Sequence, residues 1–322
     1  MKNSILLLSA VLLILNSCNN KKELLPNSSG KPGEIIIVIE KHIWNSSVGE
    51  NIKNTFMSDY PALPQDEPTF SLYPIPNANF NDIFQASRNI LKLTFNKNSD
   101  STFYRFVKDR WAKPQILVEL IAKDINQMNK LIKEKGNEIK EILLLEERDR
   151  LKKVYEKFRE KSLIMPLKKF NIDLIIPKGY KLNIDTTNFL WISAETPYMS
   201  QGLFIYSVPY SDTIQFNVKN LLYVRDSLLK KYIPGPLYGT YMTTEHLYPV
   251  EQKTITLNNN FAKELRGLWK IENDFMGGPF VSINTVVKNK IVTVEGYVYA
   301  PKDDKKIYVW QIESILYSLK IK

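Results

Sequence analysis

The chain has little of what metal, redox and hydrolytic sites are built from. One cysteine, Cys18, stands among 322 residues, so an internal disulfide, a multi-cysteine zinc centre and a paired redox thiol are all excluded. Only two histidines occur, His42 and His246. Neither has a second histidine at ligand spacing, and the one adjacent carboxylate, Glu245 beside His246, would point to the opposite face of an extended segment. Structural or surface roles are expected of both, with no metal and no cofactor. No Gly-x-Ser-x-Gly elbow is present, which disfavours that type of serine hydrolase. Long apolar runs are missing too: the stretch from Ile5 to Leu15 falls well short of the roughly 20 residues that span a bilayer.

That short run has another meaning. Lys2, the apolar stretch and then Asn16-Ser17-Cys18 read as a bacterial lipoprotein signal, cut before the cysteine and acylated on it. Residues 1–17 are expected to be a signal peptide and Cys18 the lipidation site, which would consume the single thiol and tie the protein to a membrane. The next residues, Asn19, Asn20, Lys21 and Lys22, contain no acidic run that could act as a surface-export tag. The expected address is therefore the cell envelope, on the periplasmic face of the outer membrane. Net charge is +10, but lysines alternate with acids along the most charged segment and no basic block is interleaved with stacking aromatics. Nucleic acid is not an expected partner.

Hydrophobic residues make 44% of the chain and aromatics 11%, a globular composition with enough apolar surface for more than one packed unit. Residues 18–33, rich in Asn, Lys, Ser, Pro and Gly, read as a flexible tether. From 34 to 122, strands at Glu34–Glu40, Phe70–Ile75, Asn89–Phe95 and Gln115–Ile121 alternate with helical spacing at Ser46–Met57 and Asn79–Ser87. From 123 to 165 the chain is dense in Glu, Lys and Arg with an apolar stripe, predicting one long amphipathic helix or a hinged pair. From 166 to 322 short strands dominate, with helices at Val218–Lys231 and Lys305–Leu319. The fold class predicted is α+β: two α/β sandwich-like units, the second a largely antiparallel sheet backed by helices, joined by a long charged helix or helix pair.

Six phrases then carry a resemblance: Ser29-Gly30-Lys31-Pro32-Gly33-Glu34, Trp111-Ala112-Lys113-Pro114-Gln115, Tyr232-Ile233-Pro234-Gly235-Pro236, Glu264-Leu265-Arg266-Gly267-Leu268-Trp269, Asn273 to Phe280 (NDFMGGPF) and Tyr297-Val298-Tyr299-Ala300-Pro301. They resemble a family of lipoproteins from Bacteroidota, the domain of unknown function 4837, over essentially the whole mature chain. The resemblance implies a cell-envelope lipoprotein and transfers no activity, substrate or site residue.

The candidate site comes from strand alternation. Leu265, Gly267, Trp269 and Ile271 are expected to share an inner face with Val281, Ile283, Val287, Val292, Val294, Gly296 and Val298, covered by the Lys305–Leu319 helix. The opposite face would present Glu264, Arg266, Ser282, Asn284, Glu295, Tyr297 and Tyr299. That face, with the loop residues Tyr232, Tyr238, Tyr241 and Asp274, is expected to form one concavity that binds a glycan, a peptide or another envelope protein. Tyr232, Tyr238, Tyr241, Glu264, Arg266, Asp274 and Tyr297 are the ligand-binding candidates. Gly277-Gly278-Pro279 reads as a chain reversal rather than an anion loop, since a strand and not a helix follows. The leading expectation is a non-enzymatic binding or assembly protein. The alternative is an envelope hydrolase acting on glycan or peptide, with Glu245, Glu264 and Asp274 as its carboxylates.

Overall fold

The computed structural model describes residues 24–98 and 101–322. The signal sequence, Cys18 and the start of the tether lie outside the described residues. The first unit runs β1 (Glu34–Val38), α1 (Lys41–Trp44), α2 (Ser47–Phe56), β2 (Ser71–Ile75), α3 (Asp82–Gln85), β3 (Asn89–Phe95), β4 (Phe103–Lys108) and β5 (Ile116–Ala122). Its sheet has the order β2-β1-β3-β5-β4, parallel through β5 and antiparallel at β4. Parallel strands covered on both faces need apolar residues at most positions, which is why β1 and β5 read as Ile, Leu and Val runs broken at most by one acid, while β3 admits Lys92 and Thr94 at its half-buried positions. Ser46 caps α2, its side chain accepting from the Val48 amide.

From Pro26 onward the expected flexible tether is hydrogen-bonded to the loops that lead into β3 and β5. The Lys113 amide donates to the Pro26 carbonyl, Ser28 N to Lys113 O, and Ser29 N to Ala86 O. Composition points to a tether because the segment has almost no apolar side chains, but backbone pairing needs none.

A single helix follows, α4 (Ile125–Lys157), 33 residues long and capped by Asp124. It settles the choice between one helix and a hinged pair. Beyond it come α5 (Ile164–Lys168), β6 (Ile172–Asp173), β7 (Lys181–Asp185), β8 (Phe189–Glu195), β9 (Ser200–Pro209), α6 (Val218–Tyr232), β10 (Met242–Thr244), β11 (Glu251–Leu257), β12 (Asn260–Ile271), β13 (Gly277–Val287), β14 (Lys290–Tyr299), α7 (Lys306–Leu316) and β15 (Lys320–Ile321). The large sheet is antiparallel throughout, in the order β10-β12-β13-β14-β9-β8-β7, with β11 also pairing β12. The mixed α+β architecture is the one the sequence predicts.

Both faces of the large sheet are covered. One continuous apolar cluster runs from Ile35, Leu91 and Val118 through Ile139 and Leu143 of α4 to Val281, Val294, Ile312 and Ile315. The other face meets α6 in a separate aromatic cluster with Phe204, Phe280, Trp269 and Tyr297. With α4 and α7 on one face and α6 over most of the other, little of the sheet is left open, and this decides where the candidate residues go.

Candidate functional site

Strand register sorts the candidates onto opposite faces. Arg266 lies opposite Val281, which lies opposite Gly296, while Gly267, Phe280 and Tyr297 form the neighbouring row. Paired residues share a face, so Glu264 and Arg266 sit with Val281, Val294 and Gly296 under α7, and Leu265 and Trp269 sit with Phe280 and Tyr297 under α6. The expected inner face is thus corrected. α7 does cover Val281, Val294 and Gly296, where a Cβ on Gly296 would lie 1.9 Å from Ile312, but Trp269 belongs to the other side. The single concavity does not form either. Arg266 is buried beneath the first unit, bonded through Nη1 to the Tyr60 hydroxyl at 3.2 Å.

The loop candidates separate further. Tyr232 stacks on Phe189 at 4.7 Å between ring centroids and Tyr297 on Phe204 at 5.0 Å, so both belong to the aromatic core. Tyr238 is fully exposed. Tyr241 has Lys230 Nζ 4.8 Å from its ring and faces a shallow depression shared with Asp226 and His246. Asp274 turns back on its own loop, its Oδ1 accepting from the Phe275 and Met276 amides at 2.6 and 3.2 Å. Glu264 is held as well, by Arg266 Nε at 2.7 Å and the Tyr317 hydroxyl at 2.5 Å. Glu245 accepts from the Leu247 amide at 3.0 Å, so all three carboxylates expected of a hydrolase are occupied by structural bonds.

What the structure does assemble is an aromatic groove of about 480 Å³ at one end of the sheet. Trp191, Trp269, Tyr297 and Tyr299 line it together with Met242 and Met276, and Pro234, Pro236, Pro301 and Tyr198 complete its walls. Local chemistry sets each wall. Prolines hold the 233–241 loop, which is clamped to the next turn where Glu272 N donates to Tyr241 O. Gly202 lets the Tyr297 ring lie flat against β9, since a Cβ there would come 2.1 Å from the ring. Trp191 Nε1 donates to the Tyr297 hydroxyl at 3.1 Å, and burial pushes that phenol up to about 12. Exposed Leu237, Tyr238 and Phe275 stand on the loops beside it. Four of the six phrases that carry the family resemblance contribute a lining residue: 232–236, 264–269, 273–280 and 297–301. A surface of this kind stacks flat rings and packs apolar side chains; its polar rim includes Ser200, whose Oγ donates to Glu195 Oε1 at 2.9 Å, and Lys302.

On the other face, the loop after α2, together with α4, β12 and α7, converges on a buried charge cluster. Arg266 Nη1 lies 2.5 Å from Glu313 Oε1, which also accepts from the Tyr60 hydroxyl at 2.5 Å. Arg148 Nε is 3.7 Å from Glu313 Oε2, and its guanidinium lies 4.5 Å from the Tyr317 ring centre. Burial works to raise the Glu264 carboxyl, but the Arg266 ion pair and the Tyr317 hydrogen bond outweigh it and hold the group below the usual range. Burial likewise drives the Tyr60 hydroxyl well above its ordinary value, with Glu313 adding to the effect. Sequence reasoning singles out none of Tyr60, Arg148 and Glu313. Their distance along the chain from Arg266 leaves no local signal.

His246 has a partner the sequence does not reveal: Asp226 on α6, with Oδ2 3.0 Å from Nε2. Gly277 and Gly278 open β13, where a Cβ on Gly278 would lie 2.1 Å from Val298 O, so close strand approach accounts for that glycine. Among the described residues no group of three or more His, Cys, Asp or Glu is placed to hold a metal, and no helix is long and apolar enough to cross a membrane.

With this geometry in hand, comparison places the second unit. Residues 160–318 match the family model of a domain of unknown function, DUF4837. The family match is narrower than the whole mature chain: residues 28–156 match a different model, the domain of unknown function DUF8532, and the break between the two falls at the end of α4. No curated protein matches the chain. Among solved structures it is similar to the solution structure of cyanobacterial PsbP (CyanoP) from Synechocystis sp. PCC 6803, at 9% identity and a TM-score of 0.34, over 48% of this chain and 88% of that one. A likeness that loose carries no argument.

Proposed function

We propose that the protein is a non-enzymatic binding or assembly component of the cell envelope, held by a lipid on Cys18 to the periplasmic face of the outer membrane. The single observation behind the binding role is the aromatic groove. Indole and phenol faces rigidly fixed by Gly202, the Trp191 to Tyr297 hydrogen bond and the proline loops form a preorganised surface, and preorganisation lowers the entropic cost of taking a ligand. Sugar rings and the side chains of an extended peptide are the ligands such a surface accepts. The anchor rests on the Lys2 to Cys18 signal alone.

Trp191 and Trp269 report on the groove directly. Titration with peptidoglycan glycan fragments and, separately, with proline-containing peptides is expected to change tryptophan fluorescence saturably with one of the two. Trp191→Ala is expected to weaken that binding about tenfold, the loss of one stacking partner. Absence of a saturable change with either set would reject the groove. For the anchor, Cys18→Ala is expected to release the protein from the membrane fraction, and an unmodified mature N-terminus would reject it.

A further inference from the structure

We propose that the cleft between the two units, on the sheet face opposite the aromatic groove, is a binding site for a small oxyanion, received by the guanidinium groups of Arg148 and Arg266. The cleft has a volume of about 340 Å³, room for a small molecule rather than a polymer. Arg148 and Arg266 both line it, and each is only 9% exposed.

The two guanidinium groups are incompletely used. Arg266 directs Nε to Glu264 and Nη1 to Glu313 and Tyr60, while its Nη2 bonds no described residue. Arg148 goes further: none of its nitrogens makes a hydrogen bond to a described residue, and its Nε is fully buried without a partner. It is held in place by the Tyr317 ring and by the Glu313 carboxylate at 3.7 Å, beyond hydrogen-bond reach. Only the Arg148 Nε is fully buried; the Nη donors of Arg148 and Nη2 of Arg266 are not, and these are the edges of the fixed fork left free to meet an acceptor in the cleft. Carboxylates and phosphates match that fork.

The rest of the lining sharpens the assignment. Lys140 and Lys253 also border the cleft, yet Asp59, Glu141, Glu251 and Glu264 match the four cations of the lining, and Glu313 lies behind both guanidinium groups. The local field is therefore close to balanced, so recognition rests on the open guanidinium edges rather than on diffuse positive charge. Because Tyr60 comes from the first unit, Arg148 from α4 and Arg266 and Tyr317 from the second, an occupant would touch everything that meets at this joint.

The test uses the full chain in low-salt buffer with two probes, succinate and inorganic phosphate, read by melting temperature and by calorimetric titration. One probe is expected to raise the melting temperature and bind one per chain; which one it is distinguishes a carboxylate ligand from a phosphate ligand. Arg148→Met is expected to weaken that binding about tenfold or more, and Arg148→Lys, which keeps the charge and loses the fork, to fall between. Should Arg148→Met fail to fold, the lysine variant alone decides. No response to either probe, or a lysine variant that binds as the parent does, would overturn the proposal. Groove ligands are read separately by tryptophan fluorescence, so either site can fail without the other.

Discussion

Arg225 and Arg266 are both buried, on opposite sides of one sheet, and are used in opposite ways. Arg225 engages every nitrogen: Nε and Nη2 reach the Glu295 carboxylate at 2.8–3.0 Å, Nη1 reaches Thr244 and Asp226, and the guanidinium lies 3.9 Å from the Phe280 ring centre. Arg266 and its neighbour Arg148 leave nitrogens open beside a cleft. A saturated arginine ties α6 to β14 and has nothing left to offer a ligand. Open arginines give up some stability and keep binding capacity.

The comparison breaks most visibly at Arg225. Replacing it with methionine strands the fully buried Glu295 carboxylate and is expected to cost about 3–5 kcal/mol, read from the urea midpoint. Arg148→Met, by contrast, removes no hydrogen bond and leaves Glu313 Oε1 paired with Arg266, so a smaller cost of about 1–3 kcal/mol is expected, from the buried Glu313 Oε2 that loses its neighbouring charge. Similar losses from the two would mean that Arg148 is bound into the fold as firmly as Arg225. On the groove side, Gly202→Ala drives a methyl into the Tyr297 ring and is expected to cost about 1–3 kcal/mol, with near-ultraviolet circular dichroism reporting the disturbed aromatic stack. The smallest effect is on the pH profile. Glu264 has its folded-state pKa lowered, so its stabilising contribution is complete above the unfolded value of about 4.3 and is lost as the pH falls through the folded one. Glu264→Gln should flatten that acid limb, and a limb unchanged in the variant would assign it to other carboxylates.

Elements are legible in the sequence where both faces are buried or a cap is present. Asn89–Phe95 agrees to the residue because Ile90, Leu91, Leu93 and Phe95 keep four of its seven positions apolar up to a turn. β4, β7 and β10 leave no such signal, being short and peripheral or mixed with charges, as in Phe103-Tyr104-Arg105-Phe106-Val107-Lys108. The site is less legible for a specific reason. On a sheet covered on both sides, alternation shows that Leu265, Trp269 and Ile271 share a face but not which face, and the phase between β12 and β13 depends on the intervening turn. That one choice of phase puts Arg266 in the wrong company. The groove is no more legible: of the seven ligand-binding candidates only Tyr297 lines it, because its walls come from strands and loops far apart in the chain.

Helix α4 has one more consequence, for how such a chain could be rebuilt. Two adjacent residues on it serve different units: Glu147 accepts from Arg88 Nη2 at 2.6 Å and Asn89 Nδ2 at 2.7 Å, while Arg148 faces Glu313 and Tyr317. One extra residue inserted upstream in the helix would rotate this pair by about 100° and move both from their sockets. The joint between the two domains therefore works as a keyed shaft. Transplanting either domain onto a different neighbour would require the helix and its angular phase to travel with it.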